Sequence, residues 1–370
     1  MTTHSWFTID NIDTIDSPAL ALYVDRIQQN IQTLVNSIDD VNRLRPHIKT
    51  HKSGEVSKMM LAVGIKKFKC ATIAEAEMLA SVGAPDVLLS YQPVGPKPNR
   101  LAELIKKFPN TKFSCLIDNP ESAKHLSNVF SNHSILIEVY IDLNVGMNRT
   151  GIVPDAALKL FGECKSLKGI SIVGLHAYDG HLRDTDFAVR TKRCDEAFNK
   201  VQGLHKAILE KEGKKLIIVA GGTPTYSIHS KRKEIECSPG TYVYWDKGYE
   251  QLLTEQNYLF AALVVTRIIS KPTDDTICLD LGHKAIASEN PLANRVYFLN
   301  APDLEPTGHS EEHMTFKTTA GNTFSVGDVL YGVPYHVCPT IALHDEACVV
   351  QNHKVVERWK TLSRNRKITV

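Results

Sequence analysis

The sequence has no cysteine pair at ligand spacing, no long apolar run, no excess of either charge and no dinucleotide-type glycine fingerprint. Each absence removes a class. The eight cysteines (Cys70, Cys115, Cys164, Cys194, Cys237, Cys278, Cys338 and Cys348) are scattered, with no CxxC. That argues against a disulfide framework and against a zinc ribbon, and it fits small buried side chains in a cytoplasmic protein. A membrane helix needs about 18 or more apolar residues in a row, and no such run exists. Met1 to Asp10 shows no basic stretch leading into an apolar one, so no secretory leader is expected. The net charge of +2 gives no footprint for nucleic acid or for an anionic membrane. No GxGxxG follows the first apolar strand, which weakens a doubly wound dinucleotide fold.

What is present is ordinary globular composition over 370 residues, 43% hydrophobic and 23% charged, enough for two domains or one large barrel with an addition. From Pro18 onward, short apolar runs alternate with stretches of helical periodicity. PALALYVD (18–25), KFKCA (67–71), DVLLSY (86–91), KFSCLI (112–117), SILIEVYID (134–142), ISIVGLHAY (170–178) and LIIVA (216–220) read as strands. Helical spacing lies between them, as in IAEAEMLASV (73–82) before Gly83 and in the long stretch 184–211. Seven or eight such units up to residue 255 predict an α/β architecture, a (β/α)8 TIM-type barrel over 18–255. After about 256 the rhythm becomes short β runs separated by Gly, Pro, Asn and Asp, with no helix expected. This predicts a C-terminal all-β domain over 256–370, which residues 1–17 are expected to join. The last dozen residues read as a basic surface tail.

The chemistry-bearing residues fall at strand ends, where a β/α barrel keeps its functional groups. Arg45-Pro46-His47-Ile48-Lys49-Thr50-His51-Lys52, read as an extended strand, projects His47, Lys49 and His51 to one face. A lysine shielded from water or set among cations loses its proton readily and can form a Schiff base; the plain alternative is a solvated basic strand end. Gly221-Gly222-Thr223 follows LIIVA, and Ser238-Pro239-Gly240-Thr241 is a second turn of the same kind. Both can offer N–H groups to a phosphate, or be ordinary glycine turns. Arg149 donates only, so beside a pyridine nitrogen it would keep that atom unprotonated; a loop salt bridge is its commoner use. His336 and Cys338, two apart on a presumed strand, are both zinc ligands by type and otherwise a packed pair. Ser310-Glu311-Glu312-His313 is a further polar cluster.

Taken in order, RPHIKTHK (45–52), CATIAEAEMLASVGAPDVLLSYQ (70–92), VYIDLNVGMNRTGI (139–152), GLHAYDGHLRD (174–184), AGGTPTY (220–226), SPGTYVYWD (238–246), SEEH (310–313) and HVCPT (336–340) resemble the D-threonine aldolase and D-serine dehydratase group. These are pyridoxal-phosphate enzymes with the alanine-racemase type of barrel. The resemblance implies a PLP barrel joined to a β-domain, in a homodimer acting on a small D-amino acid. It implies that Lys49 carries the cofactor and Arg149 meets the pyridine nitrogen. Tyr178, Gly221, Gly222, Thr223, Gly240 and Thr241 would surround the cofactor and its phosphate. His336 and Cys338 would hold a divalent metal, zinc by the softness of a thiolate, with manganese or magnesium as alternatives. The activity implied is that of a lyase making glycine and an aldehyde from a β-hydroxy-D-amino acid, with His51, His176 and His181 as candidate proton acceptors. D-Serine dehydration is the alternative, because His-x-Cys resembles the eukaryotic dehydratases while AYDGHLRD resembles the aldolases. A racemase or a non-catalytic PLP carrier fits less well, since neither needs the metal pair.

Overall fold

Seven short strands with buried apolar residues, Lys67–Cys70, Asp86–Leu89, Lys112–Ile117, Ile137–Leu143, Ile170–Ala177, Ile217–Ala220 and Ile235–Cys237, lie parallel and in chain order. The computed structural model describes residues 5–318 and 323–370. Helices Ile73–Ser81, Lys97–Lys107, Pro120–Asn132, Pro154–Cys164 and Phe187–Glu212 connect the strands, as parallel neighbours require. Their starts are written in the sequence. Thr72 accepts from Glu75 N, the Glu75 carboxylate accepts from Ala71 N at 2.6 Å, and Asn119 accepts from Ser122 N.

The eighth barrel position is filled irregularly. Residues 44–47 bridge the two ends of the seven-stranded sheet, Leu44 pairing with Cys237 and His47 with Lys69. Arg45 N donates to Cys237 O at 2.8 Å and Lys69 N to Pro46 O at 2.9 Å. Pro46 has no N–H to give, so the ladder stays short. Arg45 closes the ring with charge: it is fully buried, its Nε donates to Glu236 Oε2 at 2.7 Å, and its Nη atoms donate to both oxygens of Asp86. Burial opposes its charge, but Glu236 and Asp86 more than offset that and hold it protonated. Above it, Leu88, Leu116, Tyr140 and Val219 pack together.

The strand expected to open the barrel belongs elsewhere. Ala19–Tyr23 pairs antiparallel with Ala262–Thr273 and parallel with Glu346–Gln351. It sits inside a nine-stranded, mostly antiparallel sheet that also contains Thr276–Leu279, Val296–Phe298, Glu305–His309, Met314–Lys317, Val329–Pro334 and Lys354–Lys360. The chain therefore divides differently from 18–255 and 256–370. One unit is 34–49, 56–240 and 365–370; the other is the chain through Thr33, 50–55 and 241–364. Two further expectations are corrected. The C-terminal sequence is not all tail, because Lys354–Lys360 pairs with Glu346–Gln351. The β-unit also holds a helix, Val337–Leu343. Two apolar clusters fill it, one around Ile268, Leu279, Phe298 and Phe316, the other around Ala21, Tyr23, Leu263 and Tyr331.

Candidate active site

Lys49 lies not on a strand but in a 3-10 turn, Ile48–Thr50, directly after the closing segment. The turn breaks the alternation that would have put His47, Lys49 and His51 on one face. His47 Nδ1 accepts from Lys49 N at 3.3 Å. Lys49 lines a cleft in the barrel unit with His47, Lys69, Ser90, Asp142, Arg149, Thr150, His176 and Tyr178, around about 440 Å³ of space, open solvent included. Lys69, Ser90, Asp142, His176 and Tyr178 lie on or directly after four different strands, as in other β/α barrels.

The polar groups are wired to one another. Asp142 Oδ1 meets His176 Nδ1 at 2.7 Å, and Asp142 Oδ2 accepts from Gln92 Nε2 at 2.8 Å. On its other nitrogen His176 faces Lys69 Nζ at 3.4 Å, and Lys69 donates to Ser238 Oγ at 2.6 Å. Lys69 is fully enclosed. Burial, and then the charge of Lys49, bring its pKa down to about 7 against the pull of Asp142 and Asp179. Burial likewise lowers His176, helped by Lys69 and opposed by Asp142. Tyr178 forms one wall, with the Arg149 guanidinium 5.2 Å and the Lys69 amine 5.5 Å from its ring centre.

The turn after Ile217–Ala220 passes close beneath that wall. A Cβ on Gly222 would stand 2.8 Å from Tyr178 Cε2, and Gly221, at φ +72°, backs onto the His229 side chain. Gly240 N donates to Thr223 Oγ1 at 3.1 Å, which ties the two glycine turns together. Behind them, Asp179, Cys194 and His229 bring three potential ligand atoms within 4.8 Å. They are already mutually bonded: Asp179 Oδ2 meets His229 Nε2 at 2.9 Å, and Thr225 Oγ1 donates to Asp179 Oδ1 at 2.7 Å. The Arg232 guanidinium also reaches His229 and Cys194. A fixed cation inside the group favours a braced hydrogen-bond network over an ion site.

Lys49, Arg149, His176 and Tyr178 thus line one cleft of the barrel unit, while Gly221, Gly222, Thr223 and Gly240 lie in the same unit, with the Gly222 backbone packed close against the Tyr178 ring. His181 lies nearby in sequence, its Nδ1 buried and without a hydrogen-bond partner, its Nε2 against Gly146. Burial lowers its pKa. His51 does not line the cleft. Its Nδ1 accepts from Ser53 N at 3.1 Å, its ring packs edge-on to Tyr244, and burial with Lys52 nearby drives its pKa down to about 3.

His336 and Cys338 come together in the β-unit by a route other than strand alternation. His336 is the extended residue that starts helix Val337–Leu343, and Cys338 is in its first turn. The two side chains are hydrogen-bonded, and Glu289 holds His336 Nδ1. Burial works against a charged His336, but Cys338, Glu289 and Asp246 outweigh it and raise the ring to about 9. Thr50 Oγ1 lies 3.2 Å and Thr241 Oγ1 3.8 Å from the Cys338 sulfur. Thr241 therefore accompanies this pair. An imidazole and a thiol with a carboxylate on the ring's other nitrogen suit a soft divalent ion. Glu311 and Glu312 pair with Lys284 on the surface.

Sequence reasoning missed Lys69, Asp142, Gln92 and Glu289. Lys69 had a faint signal: KFKC alternates, and in a barrel both faces of a strand are covered, so its lysines must point inward or against helices.

A β/α barrel with a lysine at its mouth, carried in one chain with a separate, mostly antiparallel sheet, is the architecture of the alanine racemase group. Residues 22–247 match the family described as alanine racemase, N-terminal domain, and 261–350 match a putative serine dehydratase domain. The first match spans more than half of the chain, and the chain belongs to that family.

Among individual proteins, it is similar to a D-threonine aldolase of Arthrobacter sp, 29% identical over 370 residues covering 96% of this chain and 94% of that protein. It is also similar to a 3-hydroxy-D-aspartate aldolase of Paracoccus denitrificans (strain Pd 1222), 26% identical over 95% of this chain and 93% of that one. The crystal structure of D-threonine aldolase from Filomicrobium marinum aligns with a TM-score of 0.88 at 26% identity, covering 96% of this chain and 98% of that chain. The expected family and fold class hold. Among the described residues no helix is long and apolar enough to cross a membrane.

Proposed function

We propose that this protein is a pyridoxal-phosphate- and divalent-metal-dependent lyase that cleaves β-hydroxy-D-amino acids to glycine and an aldehyde. The observation that carries this reading is the cleft on which Lys49, Arg149 and Tyr178 converge. It is supported by similarity to D-threonine aldolase over nearly the whole chain. Pyridoxal phosphate, when bound, supplies the electron sink for a bond broken at Cα.

The chain's own groups do the rest. Lys49 holds the cofactor through its amine. Arg149 presents donors only. The Gly221-Gly222-Thr223 and Gly240 turns offer backbone N–H groups to the phosphate. His176 is fixed by Asp142, so the proton it exchanges is on the nitrogen facing Lys69. His181, three residues after Tyr178 but not itself in the cleft lining, is the candidate to take the hydroxyl proton of the substrate, which would require its buried Nδ1 to be uncovered. His51, buried away from the cleft lining, is the weakest of the three histidines for that task. His336 and Cys338 would hold the metal, zinc first and manganese or magnesium otherwise, and it would polarise the substrate hydroxyl.

Dehydration of D-serine to pyruvate and ammonia is the second reading. It is favoured by the thiol at Cys338 and by the match of 261–350 to a putative serine dehydratase domain. Purified protein with D-threonine should give acetaldehyde and glycine, and a chelator should stop it. Pyruvate from D-serine with no aldehyde from D-threonine would replace the first reading by the second. We also take the protein to work as a cytoplasmic homodimer, which sedimentation equilibrium would test for its oligomeric part.

A further inference from the structure

We propose that Lys69 is a second charge-setting amine of the cofactor cleft, governing how tightly the Lys49 nitrogen keeps its proton once the cofactor is attached. The inference rests on the reading that Lys49 carries pyridoxal phosphate. Lys69 lines the same cleft as Lys49 and is 2% exposed. Its amine is held by Ser238 Oγ at 2.6 Å and His176 Nε2 at 3.4 Å, and it faces the Tyr178 ring. Among the described residues its hydrogen-bond partners are this hydroxyl and this imidazole, with no carboxylate. Asp142 is reached through His176, and the Asp179 carboxylate is already taken up by His229 and Thr225. Arg45, the other cation acting on it, is committed to Asp86 and Glu236.

A buried amine with neutral partners is a poor device for stability, because taking it from water is uncompensated. It is a good device for adjusting a neighbour. Two cations in one enclosed cleft each make the other's proton easier to lose, and they titrate as a coupled pair. Both amines line that one cleft, so their charges face a shared, partly enclosed space. The charges and titratable groups around Lys69 are Lys49 from the 3-10 turn, Arg45 and His47 from the closing segment, Asp142 and His176 from their strands, Tyr178 and Asp179 after the second of these, and Arg149 in the same cleft lining.

The test uses cofactor-loaded protein and reads its absorption, not its turnover. The pH at which the long-wavelength band of the bound cofactor gives way is measured for wild type, Lys69→Met and Lys69→Arg. Arginine keeps the positive charge at every pH, and methionine never carries it. The Lys69→Met protein should titrate about one pH unit above Lys69→Arg, with wild type between them. Lys69→Gln, which can still bond Ser238, replaces methionine if that variant does not fold. Identical midpoints in the neutral and charged variants would overturn the role of Lys69 alone. A wild-type protein that binds no pyridoxal phosphate and shows no band would instead overturn the cofactor reading, and this inference with it.

Discussion

Replacing Gly222 by alanine isolates one contact behind Tyr178, a wall of the cleft proposed to hold the cofactor. At φ −70° and ψ −178° Gly222 has a backbone that any L-residue adopts, so the substitution adds no backbone strain. It adds one methyl group, and that carbon would lie 2.8 Å from Tyr178 Cε2. Carbon atoms rest at about 3.5–4.0 Å, so the ring must retreat by roughly 0.7 Å or more. It has little room on the far side, because the Gly180 backbone already crowds the tyrosine hydroxyl, where a Cβ would come within 2.1 Å.

Crowding of this kind costs about 1–3 kcal/mol. If the strain is relieved by moving Tyr178, it falls on the cofactor, and 1.4 kcal/mol is a factor of ten in affinity. Titrating cofactor-free Gly222→Ala with pyridoxal phosphate and following absorbance should give a Kd raised about tenfold, with the melting temperature of the cofactor-free protein shifted little. A variant that binds as wild type does, with the same melting curve, would show that Tyr178 does not wall the cofactor and would refute the reasoning.

Arg45→Met strands the carboxylates of Asp86 and Glu236 beneath the barrel, and urea unfolding should show a loss of about 3–5 kcal/mol. Glu289→Gln removes the carboxylate that orients His336, so chelator competition should show metal affinity reduced roughly 10- to 100-fold with cofactor absorbance intact. Burial pushes the Asp179 carboxyl up, but His229 and Thr225 outweigh it and hold its pKa low. A depressed folded-state pKa stabilises above the unfolded value of about 4 and is lost as the pH falls through the folded one. Asp179→Asn should therefore flatten the acid limb of a stability-against-pH curve below about pH 4 while leaving its neutral slope unchanged.

The alternation of strand and helix was legible because each element carries its own period, and caps such as Thr72 and Asn119 mark the boundaries. Sheet membership was not legible. The ALALY strand is as apolar as a buried barrel strand, and only its distant partners at Ala262–Thr273 and Glu346–Gln351 decide where it goes. The closing segment was legible as extended chain but not in its extent: it makes one bridge at each end, at Leu44 and His47, and turns at Ile48–Thr50 where the strand was expected to continue. The gathering of Lys49, Arg149 and Tyr178 followed from strand ends, which a barrel brings together whatever the intervening sequence. Lys69 was passed over because alternation in KFKC does not say which face points inward. His336 and Cys338 were paired for a wrong geometric reason, since the turn that starts a helix brings them together.

The strand Ala19–Tyr23 has a consequence for biosynthesis. It is translated before every barrel strand, yet one neighbour is Ala262–Thr273 and the other is Glu346–Gln351. While the ribosome makes the barrel, this apolar ribbon waits with both edges bare, and unpaired edges invite association with other chains. The β-unit can assemble only after Glu346–Gln351 has been made, so a nascent chain stalled before residue 346 would carry the seven barrel strands and, elsewhere in the chain, an open, adhesive half-sheet.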